Sequence, residues 1–500
     1  MQLKNAQYFS SLAQAISTFG INYVRLGIVA RALGPSTYGV FGLLQSSYDS
    51  IIDFLQLNTS GGLFNYVARH KDIFNLLKWY AKFSAFLFLI LIIGTKIVTA
   101  TGSLNTDISP KYFYFAMLFS FLLWTSKIFS GIGDAKSLTV MVQKRIIIFN
   151  FLNLVLFVIL SYYNLVNLTT LFLVQIFISS LLIISLSFLY KKMKIVNEPP
   201  ISKNSKNLIK SYFIKYSSPL VILSVVNFLY TIFDRWFLQF IGGSMEQGLF
   251  TFSLKISAIC MIFSGAMVAI WSREISKMHE EMNLEQMATF YSKYIIIFFS
   301  ITSIVSIFIF FNCDIIIELL GGKRFENALN TVMIMSLYPI HQTLGQLNNS
   351  FCLATERTKI FSVIMAIVPL LGIPLTYYLI APDSYYFSGL NMNSDGLALK
   401  FLIVQLFTSN IVMYFNTKYL NLSFFKKLYV QFVIPIMLFL IYFFMRSIIY
   451  SFWEIESLFD KIILSGLTGI FYFVTFTFIV YQFPFIIGLK RYEIKNYFKL

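Results

Sequence analysis

Six polar residues recur early in the chain at steps of three or four: Gln7, Ser11, Gln14, Thr18, Asn22 and Arg25. That spacing places all six on one face of a helix. Gln45, Asp49, Asp53 and Gln56 repeat the pattern, and so do Ser224, Asn227, Thr231 and Asp234, with Arg235 adjacent. Thr251 and Lys255, then Gln342, Gln346 and Asn349, extend the polar set. All of these lie inside otherwise apolar stretches. Within such stretches there are five cations (Arg25, Lys127, Arg235, Lys255, Lys400) and three anions (Asp49, Asp53, Asp234). A wet cavity with that positive surplus suits a phosphate or pyrophosphate, for which the planar guanidinium fork is the better ligand. The carboxylates admit two readings. Asp49 or Asp53 forms a structural ion pair with Arg25, or a carboxylate serves as a proton or Na⁺ site. Asp234 and Arg235 are sequential and do not share a face, so one of them serves a neighbouring helix. Lys400, near the start of its apolar stretch, reads as a snorkelling side chain. His341 reads as a hydrogen-bonded structural histidine. Cys260, Cys313 and Cys352, an odd number without a CxxC, read as small apolar fillers rather than disulfide or metal partners.

The elements that carry these residues are fourteen apolar stretches: 7–30, 38–58, 79–100, 111–131, 146–163, 167–190, 212–240, 247–270, 290–312, 328–352, 359–380, 395–416, 426–446 and 462–486. Most approach the ~20 residues that a helix needs to cross a bilayer core. The 500 residues are 57% hydrophobic and 12% charged, with a mean hydropathy of +0.73. If successive loops are assigned alternately to two sides, 27 of the 39 Lys and Arg fall on one side, 7 on the other and 5 within spans. This bias makes the first side cytoplasmic, with both termini there. The net charge of +17 is spread over loops that face anionic lipid, so it does not indicate a nucleic-acid partner. Residues 1–20 lack the apolar run and cleavage site of a removable signal, and the first span is expected to remain.

An ionised side chain at mid-membrane costs at least ~2.5–3.5 kcal/mol. The polar stripes must therefore face one another or water. The economical arrangement is two related halves around one hydrated cavity. The halves share features at a common offset: Arg25 precedes Tyr38-Gly39-Val40-Phe41 much as Arg235 precedes Gln247-Gly248-Leu249-Phe250. The basic, proline-bearing stretch 191–210 separates them. The expected organisation is an N-terminal six-helix lobe (1–190), a cytoplasmic linker (191–210), a second six-helix lobe (211–417), and two extra spans with a tail (418–500). Six helices per copy imply a parallel repeat. Gly34-Pro35, Pro219, Pro339, Pro369 and Pro374 mark expected discontinuities.

Catalysis finds no constellation. No phosphate-cradling glycine loop is present, and no long loop clusters Asp, Glu, His or Arg as a membrane polymerase, glycosyltransferase or acyltransferase would require.

Arg31-Ala-Leu-Gly-Pro-Ser-Thr-Tyr-Gly-Val-Phe41 resembles the turn after the first helix of Wzx-type polysaccharide flippases, the O-antigen and capsule exporters of the MOP superfamily. Phe233-Asp234-Arg235, Gly242-Gly243-Ser244, Gln247-Gly248-Leu249-Phe250, Gly321-Gly322-Lys323-Arg324-Phe325, Leu353–Lys359 and Ser394–Ala398 are similar to later landmarks of that family, in order over roughly residues 7–415. Gln247 departs from the small apolar residue common there. The resemblance implies an all-α integral membrane protein of about fourteen transmembrane helices, with two pseudo-symmetric six-helix lobes in a V plus two C-terminal helices. It implies a non-enzymatic flippase of the bacterial inner membrane. The cargo would be an undecaprenyl-pyrophosphate-linked oligosaccharide, moved to the outer leaflet by alternating access. Polymerase and glycosyltransferases of the same pathway would be its partners, and H⁺ or Na⁺ its coupling ion, with no other cofactor. Arg31 and Asp234–Arg235 occupy positions that the family marks. The stripes add Arg25, Lys127 and Lys255 as cations for the pyrophosphate, with Asp49, Asp53, Gln14, Asn22, Gln45, Asn227, Gln342 and Gln346 as cavity residues. The rival readings are a multidrug or small-cation exporter of the same superfamily, which wants an acidic cavity, and a membrane polymerase or acyltransferase.

Overall fold

The computed structural model describes residues 2–69, 74–102, 108–136, 138–193, 221–453 and 457–487, with side chains from residue 16 onward, a few positions excepted. Gln7, Ser11 and Gln14, most of the 191–210 linker and Pro219 lie outside the described side chains or residues. The described elements are all helices: α1 (Gln2–Leu55), α2 (Thr59–Arg69), α3 (Phe74–Thr101), α4 (Pro110–Ala135), α5 (Thr139–Tyr162), α6 (Leu168–Lys192), α7 (Val221–Ser257), α8 (Ile262–Glu280), α9 (Leu284–Phe311), α10 (Cys313–Leu320), α11 (Leu329–Ala354), α12 (Thr358–Ile380), α13 (Asn393–Tyr419), α14 (Phe424–Ser451) and α15 (Leu458–Gln482). Apart from a few terminal residues, the fourteen apolar stretches are helical wherever they are described. Ten described segments are long and apolar enough to cross a membrane. The short helix α2 follows the second apolar stretch and was not anticipated.

Two pairs of predicted spans are each joined into one bent helix. In α1 the bend falls at Gly34 (φ 73°, ψ 172°), immediately before Pro35. In α7 it falls at Gly243 (φ 73°, ψ −172°), 209 residues further on (243 less 34). A side chain would be strained at this φ, which glycine adopts without a Cβ penalty. The two bends share one backbone conformation at one repeat offset.

The chain forms two compact units, Met1–Gly248 and Leu249–Leu500. In the first, α4 is central: it packs on α1, α6, α2 and α3, while α5 packs on α1 and α6. Polar bonds seat α1 and α2 on α3 and α4: Tyr48 and Thr95 hydroxyls at 2.8 Å, Thr59 and Tyr80 at 3.2 Å, and Trp124 Nε1 donating to Gln56 Oε1 at 2.9 Å. The outer face of α3 shows why such helices belong in lipid. Phe86, Leu89, Ile93 and Ile97 are exposed at steps of 3, 4 and 4, while Leu87, Leu91 and Thr95 are buried on the other face.

In the second unit, α11 is the central helix, flanked by α13, α9 and α8. A polar chain crosses its interior. Tyr291 donates to Asn348 Oδ1, Asn416 Nδ2 donates to Asn348 at 3.1 Å, and Arg357 Nη1 reaches Asn416 Oδ1 at 3.3 Å. The final pair α14–α15 docks on α9. Lys427 Nζ donates to Ser292 O at 3.1 Å, Arg446 donates to Phe311 O, and Asn312 Nδ2 donates to the Tyr442 hydroxyl at 2.6 Å. Arg446 thus sits at the C-terminus of α9, where the helix dipole favours a cation. Cys260, Cys313 and Cys352 are all buried free thiols, the filler role read from their number.

Candidate functional site

The first unit brings two of the polar stripes together. The end of α1 and the start of α7 enclose a cleft of about 310 Å³, lined by Ser50, Asp53, Gln56, Ser224, Asn227 and Thr231. Trp236 Nε1 donates to Ser47 Oγ at 3.0 Å, and the rings of Phe54 and Phe228 stack with centroids 5.0 Å apart. These two contacts hold α7 along the second arm of α1 and leave the polar faces turned toward one another. Gln45 and Asp49 lie half-buried on the same arm.

The arms also meet backbone to backbone. A Cβ added at Gly39 would run into the carbonyl oxygen of Ser244, and one added at Gly248 into that of Pro35. Both partners shift by the same 209 residues (248 less 39, 244 less 35). The contact is reciprocal under the repeat, and no residue but glycine fits either position without moving a main chain.

The cations separate by environment. Arg25 is half-buried, with Tyr38 as its electrostatic neighbour. On the same helix, Thr18 Oγ1 and Asn22 Oδ1 are buried and take no hydrogen bond from any described residue. Arg31 and Lys127 are exposed. Arg235 is 7% exposed and its neighbour Asp234 1%. Gln247 is fully buried beside Arg235: its Nε2 donates to the Arg235 carbonyl oxygen, while Arg235 Nη1 lies 3.4 Å from Gln247 Oε1. Gln247 thus spans the α7 bend and holds the arginine. Asp53 accepts from Gln56 Nε2 at 2.8 Å, and its charge neighbour is Lys127 rather than Arg25.

In the second unit, Lys255 is exposed, Gln342 and Gln346 are half-buried, and Ser264 Oγ lies 3.4 Å from Gln346 Oε1. His341 Nδ1 is buried and takes no hydrogen bond from any described residue. Lys400 corrects its sequence reading. It is 0% exposed, with Nζ 5.2 Å from the centre of the Phe401 ring, and does not snorkel. About two turns into α13 it is buried among packed helices, a tertiary fact that its position in the sequence does not carry.

The sequence matches no family model and no curated protein. The fold does match solved structures. One is described as lipid II flippase MurJ in an inward closed conformation (TM-score 0.67, 14% identity, 95% of this chain and 98% of that chain). Two others are an inward-facing and an outward-facing conformation of a multidrug resistance MATE family transporter of the MOP superfamily. The first has a TM-score of 0.59 at 14% identity and covers 83% of this chain and 98% of that chain. The second has a TM-score of 0.57 at 14% identity and covers 82% and 95%. The chain shares the fold of these three structures.

Proposed function

We propose that this protein is a flippase that moves an undecaprenyl-pyrophosphate-linked oligosaccharide from the cytoplasmic to the outer leaflet of the bacterial inner membrane by alternating access. One observation carries the choice of lipid-linked cargo over a drug. The flippase match spans 95% of the chain and the MATE matches 82–83%. The share missing from the latter, 17–18% of the chain, is close to the length of residues 418–500, which hold α14 and α15. A membrane-long pair of helices beyond the repeat suits a cargo with a lipid tail. Across the apolar stretches cations outnumber anions five to three, which supports an anionic cargo, while the cleft itself carries the single charge of Asp53.

In this reading Arg25 and Arg235 hold the pyrophosphate, with Arg31 and Lys255 as further cations, through charge-assisted hydrogen bonds. Asp49, Asp53 or Asp234 takes up the coupling H⁺ or Na⁺. The loop charge bias puts both termini in the cytoplasm. The cleft at residues 50–56 then lies toward the cytoplasmic side, and the Gly39–Gly248 crossing toward the outer side. Glycosyltransferases and a polymerase of the same glycan pathway would supply and consume the cargo.

The test is Arg25→Ala and Arg235→Ala in cells, scored by surface glycan and by the amount of protein in the membrane. Each is expected to lower surface glycan at least tenfold at normal protein level. Undiminished export from both variants, made normally, would overturn the reading.

A further inference from the structure

Asp53 and Gln56 form a wall with two sides. One side lines the polar cleft. The other lines a separate cavity of about 320 Å³, bounded also by Phe64 of α2 and by Trp124, Lys127 and Gly131 of α4. We propose that this side pocket binds one sugar ring of the transported glycan. The proposal rests on the flippase reading for its choice of ligand, but its binding test does not.

The wall is built rather than incidental. Trp124 Nε1 donates to Gln56 Oε1 at 2.9 Å, and Gln56 Nε2 donates to Asp53 Oδ1 at 2.8 Å. The chain uses the indole N–H and both ends of the amide, which fixes the indole, the amide and the carboxylate against one another. Trp124 and Gln56 are buried, and the chain spans two helices.

What faces the pocket is a matched set. Asp53 keeps an acceptor oxygen, because among the described residues only Gln56 bonds to its carboxylate. Lys127, exposed on α4, brings a donor-only ammonium. Trp124 bounds one side, and Phe64, 42% exposed, adds an apolar face. One carboxylate and one ammonium nearly cancel, so the pocket prefers neither anion nor cation. A phosphate would meet the Asp53 charge. A pyranose meets all three surfaces, with hydroxyls that donate and accept and an apolar C–H face for the aromatic rings. The volume is at the small end of ligand pockets, about 300–1,000 Å³, and suits one ring rather than a chain. Since Asp53 and Gln56 also border the cleft, a sugar held here lies beside the path proposed for the cargo.

Gly131 gives a clean test. A Cβ there meets nothing within 4 Å, so a larger side chain grows into the pocket rather than into the protein. The full-length protein in detergent is titrated with free glucose, galactose, N-acetylglucosamine and glucuronate, followed by saturation-transfer NMR. Transfer to at least one sugar is expected from the wild type. It should persist within twofold in Gly131→Ala and fall at least fivefold in Gly131→Leu and in Asp53→Asn, with the thermal midpoint of Gly131→Leu unchanged. No transfer to any of the four sugars, or equal transfer in Gly131→Leu, overturns the pocket. The two readings fail separately. If Arg25→Ala and Arg235→Ala abolish export while Gly131→Leu alters neither sugar binding nor export, the pocket is wrong and the flippase stands. If sugar binding is lost in Gly131→Leu but neither arginine variant changes export, the pocket stands and the flippase reading falls.

Discussion

Gln247 and Arg235 close a bracket across the bend of α7: the glutamine amide donates to the arginine's own carbonyl oxygen, and the guanidinium lies 3.4 Å from the glutamine oxygen. The bend at Gly243 interrupts the regular helical path between them. One buried side chain thus keeps a main-chain acceptor and a buried cation engaged at the same place. Gln247→Leu, nearly the same in size, removes both of these contacts. It is expected to lower stability by about 1–3 kcal/mol, read as a fall in thermal midpoint in detergent. A midpoint equal to wild type would mean that the bracket carries no stability.

The crossing of Gly39 and Gly248 predicts a matched pair of effects. Gly39→Ala and Gly248→Ala each force a main chain aside, so each should reduce thermal stability or folded yield, and by similar amounts. The double variant should lose less than the sum, because both residues act on one contact. Gly20→Ala is the control: nothing lies within 4 Å of its Cβ, and alanine in a helix is favoured by up to about 1 kcal/mol. Full additivity of the first pair would separate the two contacts.

Lys400 and Lys127 should differ in reactivity toward an amine-acylating reagent. Lys127 is exposed and is expected to label in the folded protein, whereas Lys400 should label only after denaturation. Peptide mass spectrometry reads both sites in one sample. Labelling of Lys400 at the rate of Lys127 would contradict its burial.

The docking of the last helix pair depends on Tyr442. Its ring is fully buried, lies 5.1 Å from Tyr472, and its hydroxyl accepts from Asn312. Tyr442→Ala should cost about 3–5 kcal/mol, as large aromatic truncations in cores do, and should speed proteolysis in the connection between α14 and α15. Tyr442→Phe keeps the packing and should cost about 1–3 kcal/mol, the penalty of an unmet buried Asn312 donor. Indistinguishable midpoints for the alanine variant and wild type would show that the pair is not docked through this residue.

Helices were readable from sequence because hydropathy acts locally, and each apolar stretch must close its own backbone hydrogen bonds in lipid. The bend of α1 was readable too, since Gly34-Pro35 announces itself. The one at Gly243 has no proline, and only the repeat offset points to it. Stripe residues at helical steps predicted that Asp53 and Asn227 would be turned toward polar surroundings, and the cleft contains both. Partner choice was not readable. The sequence allows Asp53 to pair with Arg25, but its charge neighbour in the fold is Lys127 of α4. Gln247 looked like an unexplained departure until its distance from Arg235 was known, twelve residues away in sequence. A place near the start of an apolar stretch suggests that Lys400 snorkels, but its burial is decided by which neighbours pack there, not by depth along the span.

The reciprocal glycine contact has a consequence for how this chain can drift. Position 39 meets 244 and position 248 meets 35, the pairing rule of an isologous interface in a two-fold dimer. Half of the chain, doubled, would satisfy the same contact with itself. Neither glycine can enlarge without obstructing the other copy's segment, so the two halves remain bound to a shared choice here, however far their remaining residues diverge.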